Sequence, residues 1–511
     1  MGDIEFLIAL LLAAAALVRL AELVAIPYPI VLVVGGLAVG LVPGLRRIVL
    51  EPDTVFLLFL PPLLHAAGFR ASPRELRAEK GPLTWLSVGV VLLTMAAVAV
   101  VAHAVVDGMS WPAAFVLGAV VAPTDPVSAI ATFARIPVPE RVRLVVEGEA
   151  MINDGTALVA YRVAVGAALT GSFHAGDAAA DFVVSAVGGV AVGLAVGWAE
   201  VRLLRRLPDT TLDIFLTVGA AYGSYILGEE LGLSGVLAAV VSGVYLGWFS
   251  HVAFDADTRL SAIAFWQVLV FGLEAMLFML LGLQLPAIAD DLQRELTLAD
   301  LTGAALLVTL TVVAVRFAGQ FVPFAFPGAS WRERVVVSWS GMRGAISLAA
   351  ALSIPLTVDE RPEILYLTFV VMLVTLVGQG LTLPWVLRGL GIRGERPWSP
   401  DEAIARLEAA QTALDRLDEL EEEERIGEEP LRRLRELYRA RFRACQAVLI
   451  GEGDGVPPED ARLARYGDLR RDLIAAERDA LLHLRNDGRV RVDTVRQIER
   501  DLDLDEARLR A

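Results

Sequence analysis

Residues 111–134 read WPAAFVLGAVVAPTDPVSAIATFA, an apolar run of membrane-spanning length interrupted near its middle by Ala122-Pro123-Thr124-Asp125-Pro126. Each proline lacks a backbone donor and crowds the turn before it. The helix is therefore expected to break at Pro123 and Pro126 and to leave carbonyl and N–H groups unpaired. Inside a bilayer such a break is tolerated only where it is buried in protein or lines a polar cavity. Residues 331–355 carry a matching interruption, Ser338 to Gly344, reading SWSGMRG. Two interrupted spans in corresponding positions predict an inverted repeat of six-helix units with a linker helix between them. The alternative is a pair of unrelated kinks.

The rest of the chain agrees with a membrane solvent. Of 511 residues, 56% are hydrophobic, and the mean hydropathy is +0.59, too apolar for a water-facing surface of this size. Spans of about 17–25 apolar residues, enough to cross roughly 30 Å of hydrocarbon, can be drawn about thirteen times. They lie near 4–25, 28–45, 53–69, 81–107, 111–134, 142–171, 178–205, 210–228, 233–249, 258–286, 298–326, 331–355 and 362–390. The expected fold class is all-α, with a transmembrane domain over residues 1–395, made of a dimerisation part and a translocating core, and a cytosolic helical domain with a regulatory role open to it over 396–511. Asp3 and Glu5 stand where a signal peptide would carry bases, so Ile4 to Leu23 is expected to remain as a first membrane helix.

Short loops rich in arginine and lysine are kept in the cytoplasm. Arg70, Arg74, Arg77 and Lys80 share one loop, Arg135, Arg141 and Arg143 another, and Arg202, Arg205 and Arg206, then Arg332 and Arg334, two more. With thirteen spans all four fall on one face, and only Arg46 and Arg47 fall on the other. The N-terminus is thus expected outside, and the tail inside, a plasma (inner) membrane. In the tail, Ser399-Pro400-Asp401-Glu402 has the composition of a capped helix start. Ile404, Leu407, Ala410, Leu414 and Leu417 then recur at helical spacing. A second helix is expected near 430–450, a third near 459–485, and a last one capped by Asp493. A small bundle or dimer contact is the simpler role for this part, and ligand sensing the alternative. The net charge of -15 argues against nucleic acid as a partner. The single cysteine, Cys445, excludes an intramolecular disulfide.

Ionisable groups inside spans carry the information, because each costs about 2.5–3.5 kcal/mol at a helix centre. They are Asp125, Glu147, Glu149, Asp154, Arg162, Glu274, Arg316 and Arg343. Residues 146–161 read VEGEAMINDGTALVAY. At about 100° per residue, Glu149 and Asn153 share a helix face, while Asp154 points roughly 140° from Glu149. The two carboxylates are free to do different work: Asp154 can face the broken helix, and Glu149 can pair elsewhere, with Arg316 as candidate. Desolvation favours a neutral carboxyl, whereas a dehydrated cation favours the charged form, so proton and cation compete for one site. A hard cation such as Na⁺ needs oxygen ligands, which Asp154, Thr124 through its hydroxyl or carbonyl, and Asp125 can supply. For Asp125 a helix cap is an equal alternative. For Glu149 and Arg316 a structural ion pair is preferred.

At these residues the chain resembles the monovalent cation/proton antiporter family, in its sodium/proton exchanger branch with an Asn-Asp pair. The likeness runs through FLPPLLHAAGF, APTDPVSA, GEAMINDG, LFMLLGLQLP and GMRGAISLAAAL in that order. It implies thirteen helices, an inverted repeat, a homodimer held by a dimerisation domain, and a mobile core that carries the ion by an elevator-like movement. It would make Asp154 the ion and proton carrier with Asn153 its orienting neighbour, and would place Thr124 and Asp125 at the crossed broken helices. Glu149 would pair with Arg316, and Arg343 would offset the helix ends. The Asn-Asp form goes with electroneutral exchange. Two departures concern cation choice: relatives often carry an acid at the position of Ala66 and a serine at that of Ala150, so oxygen is expected to be missing near the site.

Electroneutral Na⁺/H⁺ exchange is the leading expectation and K⁺/H⁺ exchange the close alternative, with no cofactor beyond the transported ions. An anion or organic-acid transporter of the same architecture would explain Arg343 but leave Asp154 repulsive. A membrane sensor acting through the tail is a further alternative. There is no GxxxxGK[ST] motif, so transport is expected to be secondary, and no enzyme motif competes. The histidines, His65, His103, His174, His251 and His483, are scattered and form no metal constellation. His65 is read as packed rather than as a pH modulator.

Overall fold

The computed structural model of the chain describes residues 3–24, 26–42, 52–170, 175–206, 209–292, 298–322, 325–392, 400–422 and 428–450, with isolated positions between 473 and 502. Among the described residues there are helices, turns and loops but no strands. They form two compact units, Met1–Gly394 and Glu395–Ala511.

In the first unit, α1 (Asp3–Leu23), α2 (Tyr28–Gly40) and α3 (Pro52–Arg70) are followed by the short α4 (Pro73–Ala78). α5 (Lys80–Thr84) runs through a π-helical turn, Trp85–Val90, into α6 (Val91–Val105). The proline-broken span is α7 (Trp111–Val121) and α8 (Val127–Phe133), and α9 (Glu140–Thr170) carries Asn153-Asp154. α10 (Ala175–Leu204), α11 (Thr210–Glu230), α12 (Gly235–Ala253), α13 (Ala256–Leu292) and α14 (Leu298–Gln320) are each continuous. The second broken span is α15 (Trp331–Trp339) and α16 (Ala345–Leu352). α17 (Arg361–Leu373) continues through the π-helical turn Val374–Gln379 into α18 (Gly380–Gly389).

Six stretches among the described residues are each long and apolar enough to cross a membrane: 80–105, 180–204, 235–253, 256–284, 301–320 and 361–389. The broken spans divide into halves too short for that measure, and α9 carries Glu147, Glu149, Asp154 and Arg162 within its length. α3 stays helical across Pro61 and Pro62. Pro62 has no N–H to give the carbonyl of Leu58 one turn back, and Tyr222 Oη donates to that carbonyl instead, at 3.0 Å.

Packing sorts these helices into two bundles. α1–α3 pack with α10–α13, and α5–α9 pack with α14–α18. In the first bundle the same crossing is built twice. Gly36 and Gly40 of α2 lie on the carbonyls of Met279 and Leu283, and Gly282 of α13 lies on that of Val33. Gly243 and Gly247 of α12 lie on the carbonyls of His65 and Phe69, and Gly68 of α3 lies on that of Val240. A Cβ at any of these positions would overlap the facing backbone, so the glycines allow the close helix approach that lipid-embedded interfaces use. α2 meets α13 as α12 meets α3, which is the exchange of partners that an inverted repeat produces.

The second unit contains α19 (Pro400–Glu422) and α20 (Glu428–Ile450), packed on each other with Ala410, Leu417, Leu431 and Cys445 buried. Arg435 bridges Asp418 and Glu421 at 2.6 Å each, though exposed pairs of this kind contribute less than about 1 kcal/mol. The cap at Ser399, most of the third tail helix, the Asp493 cap, and Arg46 and Arg47 lie outside the described residues.

Candidate ion-binding site

The two helix breaks are joined by exchanged hydrogen bonds. In a continuous helix the N–H of Asp125 would serve the carbonyl of Val121; here it donates to the carbonyl of Met342 at 2.8 Å. Val121 O is served by Arg343 Nε at 2.6 Å, and Arg343 Nη1 donates to Gly341 O at 2.7 Å. Arg343, 1% exposed, thus places its charge at the carbonyl end of α7, the negative end of the helix dipole. Arg316 plays the corresponding part for α15, donating to Ser338 O at 3.1 Å and Val337 O at 3.0 Å. The same guanidinium binds Glu149 through two bonds of 2.5 and 3.0 Å. The glycines of Gly341-Met342-Arg343-Gly344 leave room for these groups: a Cβ on Gly341 would overlap the Arg316 side chain, and one on Gly344 the Asp125 carboxylate.

Asn153 ties α9 to the first break, its Nδ2 donating to Thr124 Oγ1 at 2.8 Å. Asp125 Oδ1 accepts from the N–H of Val127, the first residue of α8, at 2.9 Å. Asp154, 7% exposed, accepts no hydrogen bond among the described residues and lies close enough to Asp125 for their charges to interact. Glu149 and Asp154 therefore face different surroundings, one an ion pair and the other open space.

That space is a cavity of about 350 Å³ between the two bundles. On one side it is lined by Pro123 to Pro126, by Ala150 and Asp154 of α9, and by Ser347 of α16. The other side carries Tyr28 of α2, Arg70 of α3 and Glu274 of α13. Ser347 Oγ is buried and has no hydrogen-bond partner among the described residues, as is true of Asn153 Oδ1. Carboxylate, hydroxyl and carbonyl oxygens around a small space suit a hard cation. Among the described residues there is no group of three or more His, Cys, Asp or Glu that would hold a resident metal.

The structure thus gathers Thr124, Asp125, Asn153 and Asp154 around the break, and separates Glu149, Arg316 and Arg343 into the supporting bonds. Ala150 lines the cavity, and Ala66 packs with Ala221, Trp266 and Val270, the last of which also lines it. His65 is buried, with Nδ1 2.9 Å from Ser242 Oγ. Sequence reasoning gave no role to Glu274, Tyr28 or Ser347. Glu274 stood out as an in-span acid, but no spacing relates it to Tyr28, 246 positions away, whose Oη donates to its Oε2 at 2.8 Å.

The family model for the transmembrane part of sodium/hydrogen exchangers matches residues 7–389. The chain belongs to the sodium/hydrogen exchanger family. This exchanger-family protein is 34% identical over 507 residues to an uncharacterized Na⁺/H⁺ exchanger of Mycobacterium tuberculosis, covering 94% of this chain and 91% of the relative. It is 31% identical over 471 residues to a Na⁺/H⁺ antiporter of Aphanothece halophytica, covering 91% and 89%. A sodium, potassium, lithium and rubidium/H⁺ antiporter of Bacillus pumilus is 31% identical over 389 residues, covering 70% and 57%. Among solved structures, the sodium proton antiporter of Methanocaldococcus jannaschii shares the fold with a TM-score of 0.62 at 21% identity, over 76% of this chain and 98% of that one.

Proposed function

We propose that this chain is a secondary transporter that exchanges Na⁺ for a proton, one for one, at Asp154. The observation that carries this reading is the contrast between three carboxylates at the breaks. Glu149 is held by Arg316 and Asp125 accepts from the N–H of Val127, while Asp154 opens on the cavity without a hydrogen bond among the described residues. A cation and a proton then displace one another from the same oxygens. Thr124, Ser347 and water complete the shell of the bound ion. One carboxylate carrying either one Na⁺ or one proton makes the cycle electroneutral.

Alternating access follows from the two bundles. The bundle of α5–α9 and α14–α18 carries both breaks and Asp154, and it slides against the bundle of α1–α3 and α10–α13, in which the glycine crossings hold the backbones together. The cavity reaches Arg70, Ala134 and Glu147, beside the arginine-bearing loops assigned to the cytoplasm, so its ions come from the cytosol. The protein works as a homodimer in the plasma (inner) membrane, N-terminus outside, with residues 396–511 as a cytosolic regulatory part.

K⁺ is the second reading. The B. pumilus relative is named for potassium as well as sodium, and Ala150 leaves part of the cavity wall without a side-chain oxygen. The test is proton flux in proteoliposomes with a fixed pH gradient on adding Na⁺, K⁺ or Li⁺. Wild type should respond and Asp154→Asn should not. Unaltered exchange by Asp154→Asn would overturn the assignment, and the order of the cations decides between Na⁺ and K⁺.

A further inference from the structure

The cavity wall facing Asp154 carries charge that the antiport step does not use. Glu274 is half-buried in α13, and its Oε2 accepts from Tyr28 Oη at 2.8 Å. Its other oxygen has no hydrogen bond among the described residues. The partner is a neutral phenol rather than a cation, so the carboxylate is fixed in place without being neutralised by contact. Arg70 of α3 and Asp125 of the first break lie within electrostatic range, and Arg70 Nε bonds the Ala66 carbonyl of its own helix at 3.3 Å. A tie between α2 and α13 would explain the pair, but those helices are already in backbone contact at Gly36, Gly40 and Gly282. Both residues instead line the ion cavity.

We infer that Glu274, anchored by Tyr28 opposite Asp154, is a cation-attracting residue of the transport path that sets the apparent affinity for the transported ion. This rests on the antiport reading above. A cation entering the cavity passes between the two walls and is drawn in by Glu274 before Asp154 takes it, while Arg70 on the same wall opposes it. One unit charge several ångströms away, at an effective dielectric constant near 20, alters cation affinity by about tenfold or more.

The experiment is Na⁺-dependent proton flux from proteoliposomes across a Na⁺ titration. Glu274→Gln keeps an oxygen for Tyr28 and removes only the charge; it should raise the KM for Na⁺ about tenfold while the maximal rate stays within about twofold. Glu274→Asp should restore most of the affinity. Tyr28→Phe retains the charge and should move KM less than about threefold. Arg70→Gln is an independent probe and should lower KM, which keeps the test decisive even if Glu274→Gln does not fold. An unchanged KM in Glu274→Gln, an equal rise in Tyr28→Phe, or a raised KM in Arg70→Gln would each overturn the inference. Wild type without cation-evoked flux would instead overturn the antiport reading on which it rests.

Discussion

Burial alone does not separate Glu149 from Asp154, at 1% and 7% exposed; their bonding does. Removing one partner from a buried, hydrogen-bonded ion pair leaves the other charge uncompensated, at a cost of about 3–5 kcal/mol. Glu149→Gln should therefore lower thermal stability in detergent markedly, with residual exchange in whatever protein stays folded. Normal stability with exchange abolished would mean that Glu149 carries the ion. The divergence of Glu149 from Asp154 was legible in the sequence, because helical geometry turns a five-residue step through about 140°. The contact of Arg343 with Val121 O was not, since it joins positions 222 apart that local pattern cannot relate. Ser347 and Tyr28 escaped for the same reason: nothing about a serine or tyrosine near a helix start says what lies across a cavity from it.

At the level of elements, the paired prolines announced the α7–α8 break because their effect is local, a missing donor and a steric clash. The α15–α16 break contains no proline. It was readable from its small and polar residues, but the reason it holds, Arg316 on its helix-end carbonyls, is a tertiary one. The two π-helical turns gave no sequence signal that was read. Gly36 and Gly40, like Gly243 and Gly247, stand four apart in the sequence, yet only the paired helices reveal what they are for. Gly282→Ala places a methyl group on the carbonyl of Val33 and should destabilise the protein by about 1–3 kcal/mol. Thermal unfolding in detergent measures this, and an unchanged midpoint would mean that α2 and α13 part easily.

For the molecule as a whole, the order of motifs along the chain was enough to identify the family, because several modest signals in fixed order are jointly specific. The resemblance implied a dimerisation part beside a mobile core, but which helices form each was not readable, since one bundle joins α1–α3 to α10–α13 across the length of the first unit. The cavity forms where the bundles meet, so its far wall with Glu274 was hidden along with the helix pairing. Removing residues 398–511 should leave cation-driven proton flux in place with an altered pH dependence; loss of all flux, with the protein folded, would make the tail part of the transport machinery. Proton and cation are proposed to share the Asp154 carboxylate. Calorimetry of Na⁺ binding to the purified protein, in buffers of different ionisation enthalpy, tests it most directly. Wild type should release about one proton for each Na⁺ bound, by competition at one carboxylate, and Asp154→Asn should release none. Na⁺ binding without proton release, or the same release from Asp154→Asn, would contradict it.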